Sequence, residues 1–184
     1  EDRNIKDQIT INNKREIKLV INKLEEFLKI HIMHQIKAGA DIIQIFDSWA
    51  GMIKEGDLNE YCYQPNRKLV KFCKENNIPT ICFPKGLKQN YKEFVEKVGP
   101  DAISIDYEID PLWAKNNLNN ICIQGGMRPE LLFESEKKIM EEVDKYLETF
   151  KNKPYIFNLG HGILPNTNPE VIKKIVNKIR LIKR

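Results

Sequence analysis

A chain of 184 residues with 41% hydrophobic and 30% charged side chains is long enough for one domain with a real core, and ordinary in composition for a globular protein. No apolar run approaches the ~20 residues needed to span a bilayer and no signal peptide opens the chain, so neither a membrane partner nor export is expected. The net charge of +4 comes from lysines interleaved with glutamates, without a basic patch carrying aromatics, so no nucleic-acid partner is expected.

The four cysteines, Cys62, Cys73, Cys82 and Cys122, form no CxxC pair. They read as reduced, mostly buried thiols, not as a disulfide frame or zinc site, and point to the cytoplasm. The first residues, 1–13, are polar with weak periodicity, as in a processed start or a piece cut from something longer. Over residues 14–37, Ile17, Val20, Ile21, Leu24, Phe27, Leu28, Ile32 and Ile36 keep to one face of a predicted helix, ended by Gly39. His31 and His34 sit one turn apart on it; no carboxylate or cysteine completes a metal site, so surface positions are expected.

Residues 41–46 form a β-branched run that predicts a buried parallel strand, emptying into Asp47-Ser48-Trp49-Ala50-Gly51. The cycle then repeats. A helix is predicted over residues 58–76, a strand over 78–83 ending in Pro84-Lys85-Gly86, and a helix over 91–98. A strand over 102–105 runs into Asp106-Tyr107, a short helix over 110–115 follows, and a strand over 120–123 ends in Gln124-Gly125-Gly126-Met127-Arg128-Pro129. Ser135 is placed as the N-cap of a helix over residues 135–150, with Ile139, Met140, Val143, Tyr146 and Leu147 inward. Tyr155-Ile156-Phe157 is a short strand, and Asn168-Pro169-Glu170 starts a terminal helix with a solvated basic face.

Between them lies Asn158-Leu159-Gly160-His161-Gly162-Ile163-Leu164-Pro165, a histidine flanked by two glycines on a strand-to-helix turn. Glycine there admits unusual backbone conformations or a close approach, and in α/β proteins the carboxyl ends of strands carry the sites. Short loops throughout predict a single domain over residues 1–184. Strand and helix alternate about five times, which leaves two architectures: an open doubly wound sheet, or part of a (βα)8 barrel, which in full needs eight strands in typically ~250 residues.

The run from Gly39-Ala40-Asp41 through Phe46-Asp47-Ser48-Trp49-Ala50-Gly51 resembles a segment of the uroporphyrinogen decarboxylase family, and Phe157-Asn158-Leu159-Gly160-His161-Gly162-Ile163-Leu164-Pro165 resembles its most distinctive signature. Gln124-Gly125-Gly126-Met127-Arg128-Pro129 is similar to the family's Q-G-N-x-D-P segment, with Gly126 and Arg128 where Asn and Asp are usual. The resemblance implies an α/β chain forming the C-terminal part, about five βα units, of a (βα)8 barrel. It also implies that the N-terminal half is absent, together with its arginine-rich motif, its pyrrole-binding aspartate and a tyrosine.

The resemblance further implies conversion of uroporphyrinogen III to coproporphyrinogen III by removal of four acetate carboxyls, without metal or organic cofactor. Ser48 and His161 match positions that approach the substrate's acidic side chains, and Phe46 one packed beside the macrocycle. A homodimer is implied, and an N-terminal half of the same enzyme would be a partner. The catalytic acid is ascribed to that other half, so the chain alone is expected to be inactive. Alternatives are a helix N-cap for Ser48, a catalytic or a structural hydrogen-bonding role for Asp106, surface or carboxylate-binding roles for Lys85 and Arg128, and packing rather than a stacking platform for Trp49. At the level of function, the alternatives are a non-catalytic porphyrin-binding remnant or a related cobamide-dependent methyltransferase, whose His-x-Cys zinc ligands have no counterpart here.

Overall fold

The computed structural model describes residues 13–181, and the polar first segment and the last three residues lie outside them. Helices α1 (Lys14–Lys37), α2 (Gln64–Glu75), α3 (Tyr91–Val98), α4 (Pro111–Asn117), α5 (Glu136–Thr149) and α6 (Pro169–Arg180) alternate with five strands. These are β1 (Ile43–Asp47), β2 (Thr80–Pro84), β3 (Ala102–Ile105), β4 (Cys122–Gly125) and β5 (Tyr155–Ile156), hydrogen-bonded in the order β1-β2-β3-β4-β5. A doubly wound sheet reverses its strand order at a switch point, whereas a (βα)8 barrel adds strands in sequence. Sequential order therefore selects the barrel architecture over the open sheet.

The chain forms two compact units that divide between Ile103 and Ser104. In the first, β1 and β2 run parallel in a register from Ile43↔Thr80 to Asp47↔Pro84, and β2 meets β3 at Ile81↔Ala102 and Cys82↔Ile103. Every residue of β2 is buried, as a central parallel strand requires. Asn13 caps α1, its Oδ1 accepting from the Glu16 amide at 3.2 Å, and Gly39 closes it at φ +94°. The helix has the predicted limits, but its apolar face is not buried as a whole. Ile32, with Ile36 beside it, packs on Ile43, Leu69, Cys73 and Ile78, whereas Val20, Leu24 and Phe27 are more than half exposed. Glu25 holds the upper part of α1 to α2 by accepting from Lys29 and Lys68, both at 2.7 Å.

Ahead of α2 the predicted single helix starts as a π-helical turn, Asn59–Tyr63, and Pro65 follows in the first turn of α2. The wider turn brings Tyr61, Cys62 and Tyr63 inward in succession, which no α-helical face could do.

In the second unit β4 and β5 run parallel at Ile123↔Tyr155 and Gln124↔Ile156. Ile139, Val143 and Tyr146 of α5 are buried as predicted, with Met140 and Leu147 at the margin, and the Phe150 and Tyr155 rings stack at 4.4 Å. Ser135 and Asn168 cap α5 and α6 through the Lys138 and Glu170 amides. The basic face of α6 is only partly given to solvent: Lys174 and Lys178 pair with Glu136 and Asp144 of α5 at 2.6 and 2.7 Å. Both pairs are exposed, so each adds at most ~1 kcal/mol. Among the described residues no helix is long and apolar enough to cross a membrane.

Candidate functional site

In the first unit the site residues sit at the carboxyl end of β1. Side chains alternate along the strand, so Ile43 and Ile45 turn toward the helices while Gln44 and Phe46 turn to the opposite face. Phe46 is 66% exposed there and meets the Phe83 ring edge-on at 6.0 Å. Asp47, of the same parity as Ile45, turns back to the helix side. Its Oδ2 accepts from Asn66 Nδ2 at 2.9 Å and from the Cys62 thiol at 3.4 Å. Burial raises the pKa of this carboxyl, opposed by those two hydrogen bonds, and the same burial beside Asp47 pushes the Cys62 thiol far up.

Ser48 follows on an exposed turn. It caps no helix, because the next helical turn, Ala50–Met52, takes Trp49 at its capping position and has no side-chain cap. The N-cap alternative is thereby removed. Trp49 is 52% exposed.

This turn is clamped to the loop after β2. The Lys85 amide donates to Asp47 O at 3.1 Å and the Gly51 amide to Lys85 O at 2.9 Å. Gly51 lies against Gly86 so closely that a Cβ on it would stand 2.5 Å from the Gly86 carbonyl oxygen. Lys85 itself is half-buried.

In the second unit the strand ladder continues past β5. Met127 and Leu159 form a parallel bridge, and the Gly160 amide donates to Met127 O at 2.7 Å. A Cβ on Gly160 would fall 2.3 Å from the Tyr107 amide nitrogen, so close approach, and not an unusual φ, demands glycine. His161 is the next residue and is half-buried. Gly162 has nothing within 4 Å of a built Cβ and no positive φ, so neither expected reason for a glycine applies to it.

The neighbouring turn, Gly125-Gly126, has φ +85° and +101°. Tyr155 Oη donates to Gly125 O at 2.8 Å and Tyr146 Oη to Gly126 O at 2.7 Å. Burial pushes both phenols up, so they stay protonated donors. A Cβ on Gly126 would meet the Tyr146 ring at 2.9 Å. Arg128 lies 4.5 Å over the Tyr107 ring. Asp106 is only 2% exposed, and its Oδ1 accepts from the Glu108 amide at 2.9 Å.

Phe46 and Ser48 thus share one strand end in the first unit, and His161 is carried by a strand end of the second. Sequence reasoning passed over Asn66, Cys62, Tyr107 and Tyr155, which hold the loops. They touch them across long sequence separations and leave no local signal.

The sequence profile of uroporphyrinogen decarboxylase (URO-D) matches residues 4–181. The chain belongs to the uroporphyrinogen decarboxylase family. It is 39% identical over 186 residues to the uroporphyrinogen decarboxylase of Rickettsia bellii (strain RML369-C), spanning 98% of this chain and 54% of that protein. It is 42% identical over 177 residues to that of Orientia tsutsugamushi (strain Ikeda), spanning 92% and 52%. The chain therefore spans about half the length of these relatives. Among solved structures, a methyltransferase from Methanosarcina mazei superposes with a TM-score of 0.71 at 22% identity, over 83% of this chain and 45% of that one. That likeness speaks for the fold alone.

Proposed function

We propose that this chain supplies the C-terminal half of a uroporphyrinogen decarboxylase, a carboxy-lyase acting without cofactor in the cytoplasm. Completed by an N-terminal half, it converts the four acetate side chains of uroporphyrinogen III to methyls, giving coproporphyrinogen III. Supporting this reading is the placement of Ser48 and His161, each presented by a glycine-clamped loop at a strand end and neither used as a helix cap.

Protonating a pyrrole ring carbon makes the ring an electron sink. The C–C bond electrons of the neighbouring acetate flow into it, CO2 leaves, a proton adds to the resulting methylene carbon, and the ring carbon gives up the proton it took, which restores the aromatic ring. The ring holds the developing charge itself, so neither metal nor organic cofactor is required. The binding groups must fix the other carboxylates so that the reacting one can lose water. In this reading the Ser48 hydroxyl and a His161 imidazole N–H donate to those carboxylates, and the exposed Phe46 ring covers one face of the macrocycle. The family dimer would be formed by the completed barrel.

The test is decarboxylation of uroporphyrinogen III by the chain alone and by the chain mixed with an N-terminal half. Activity in the mixture only, reduced at least tenfold by Ser48→Ala or His161→Ala, is expected. Activity of the chain alone, or none in the mixture, would overturn the reading.

A further inference from the structure

Among the described residues of the first unit, the loop after β2 holds a cation without a counter-ion. β1 and β2 are in register up to Phe46↔Phe83 and Asp47↔Pro84. The Lys85 amide then donates to Asp47 O at 3.1 Å, the bond that the next rung of a parallel ladder makes. Ser48 and Lys85 therefore stand side by side just past the ends of their strands. Neighbouring strands run about 4.8 Å apart, well within the reach of a lysine side chain. The Gly51 amide on Lys85 O at 2.9 Å, with the close approach of Gly51 to Gly86, fixes the backbone of the pair.

Lys85 is half-buried, and among the described residues its ammonium has neither an ion pair nor a hydrogen bond. The helix lysines of the same unit are placed differently: Lys29 and Lys68 share Glu25, Lys71 meets Glu75 and Lys97 meets Glu93. Asp47, the carboxylate next to Lys85 across the ladder, turns to the helix side and is engaged by Asn66 and Cys62. Only those two groups oppose the rise that burial imposes on its pKa, so no ammonium stands against it. A half-buried charge without a counter-ion is destabilising, and an anion brought from outside relieves it.

Continuing the alternation of β2, Lys85 follows Phe83 onto the face that Phe46 occupies, where the two rings meet edge-on at 6.0 Å. Charge from Lys85, a hydroxyl from Ser48 and a ring from Phe46 together suit a flat ligand that carries carboxylates. A hydroxyl alone separates an ionised carboxylate from a neutral acceptor poorly, whereas an ammonium beside it makes the contact charge-assisted.

We infer that Lys85 is a specificity-determining residue of the proposed site: its ammonium pairs with the tetrapyrrole carboxylate that also accepts from Ser48, so this end of the site requires an ionised side chain. This deepens, and rests on, the reading of the chain as half of a uroporphyrinogen decarboxylase.

The test is binding of uroporphyrin III, the stable oxidised form of the substrate, to the chain alone and to the chain mixed with an N-terminal half, read by anisotropy of the porphyrin fluorescence. Lys85→Gln should weaken binding at least about tenfold and flatten its dependence on salt, while Lys85→Arg, which keeps the charge, should stay within about threefold of the unaltered chain. Lys85→Gln combined with Ser48→Ala should cost less than the product of the separate losses, because both donors serve one carboxylate. In the mixture, Lys85→Gln should raise KM for uroporphyrinogen III with little change in kcat. Lys137→Gln, on the 86% exposed Lys137 side chain of α5, removes the same charge and should alter neither reading.

Unchanged binding by Lys85→Gln overturns the inference. So does an equal loss in Lys85→Arg, which would make the side chain a packing element and not a charge. Should Lys85→Gln also lower the urea midpoint, the unaltered chain decides: binding indifferent to salt overturns the inference, and binding that weakens with salt and survives Lys85→Arg upholds it. Porphyrin bound by neither preparation overturns it as well. Lys85-dependent binding without turnover in the mixture leaves the inference standing and sinks the proposed function, whereas turnover whose KM ignores Lys85→Gln does the reverse.

Discussion

The loop that carries Ser48 and the loop that carries His161 solve the same problem by different means. Each must hold a polar side chain, exposed in Ser48 and half-buried in His161, at the carboxyl end of a parallel strand. After β1 the hold is partly polar and partly steric: Asp47 is fastened to Asn66 and Cys62, and Gly51 touches Gly86 three residues beyond Ser48. After β5 it is almost wholly backbone: Gly160 lies on the Tyr107 amide and bonds to Met127 O, immediately before His161. A side-chain anchor can be weakened by degrees and tuned by pH. Contact between two main chains has no give, because neither can change rotamer.

The difference should be visible in mutants, and the two tryptophans report the units separately, Trp49 in the first and Trp113 in the second. The largest effect is expected from Gly160→Ala. Its Cβ would sit 2.3 Å from the Tyr107 nitrogen, which should lower stability by about 3 kcal/mol, at the upper end of ordinary overpacking. Urea denaturation followed with Trp113 as the single tryptophan reads this directly, and an unchanged midpoint would break the steric account. Gly51→Ala meets the Gly86 carbonyl at 2.5 Å, slightly farther than the Gly160 contact, so a smaller loss of about 2 kcal/mol is expected from Trp49 fluorescence.

Asn66→Ala removes a donor from a shielded carboxylate and should cost about 1–2 kcal/mol near neutral pH. The pH dependence around Asp47 sharpens the contrast further. Its folded pKa is raised above the unfolded value, so the native state binds the extra proton. Stability from this group is therefore full below the ordinary carboxylate range and falls as pH rises through the raised folded value. Replacing Asp47 by Asn should remove that slope from denaturation curves taken between acid and neutral pH, whereas no Gly160 variant should alter it. The smallest effect belongs to Gly162→Ala. With no neighbour within 4 Å and no positive φ, it should change stability by less than about 0.5 kcal/mol while Gly160→Ala, two residues away, disrupts the same loop.

Much of this architecture was legible in the residue order. The limits of α1 and α3 and the caps Ser135 and Asn168 follow from periodicity and capping chemistry, which act over a few residues. The family motifs around Ser48 and His161 were equally plain. The π-helical turn before α2 was not, because Tyr61, Cys62 and Tyr63 carry no periodic signature of their joint burial. The apolar row of α1 shows the same limit from the other side. Its spacing declares a helix with a face to bury, but only the packing shows that Ile32 and Ile36 join a buried cluster while Val20, Leu24 and Phe27 stay more than half exposed.

By itself the sequence determined which segments are helix and strand, which family they belong to, and which side chains are candidates for substrate. Those properties depend on local backbone preferences and on residue identity in order. Only the tertiary structure decided the sequential strand order, the turn of Asp47 away from the face that Phe46 occupies, and the different reasons for glycine at positions 160 and 162. Each of these is set by atoms distant in the chain that meet only after folding, and contact at that range leaves no trace in local sequence.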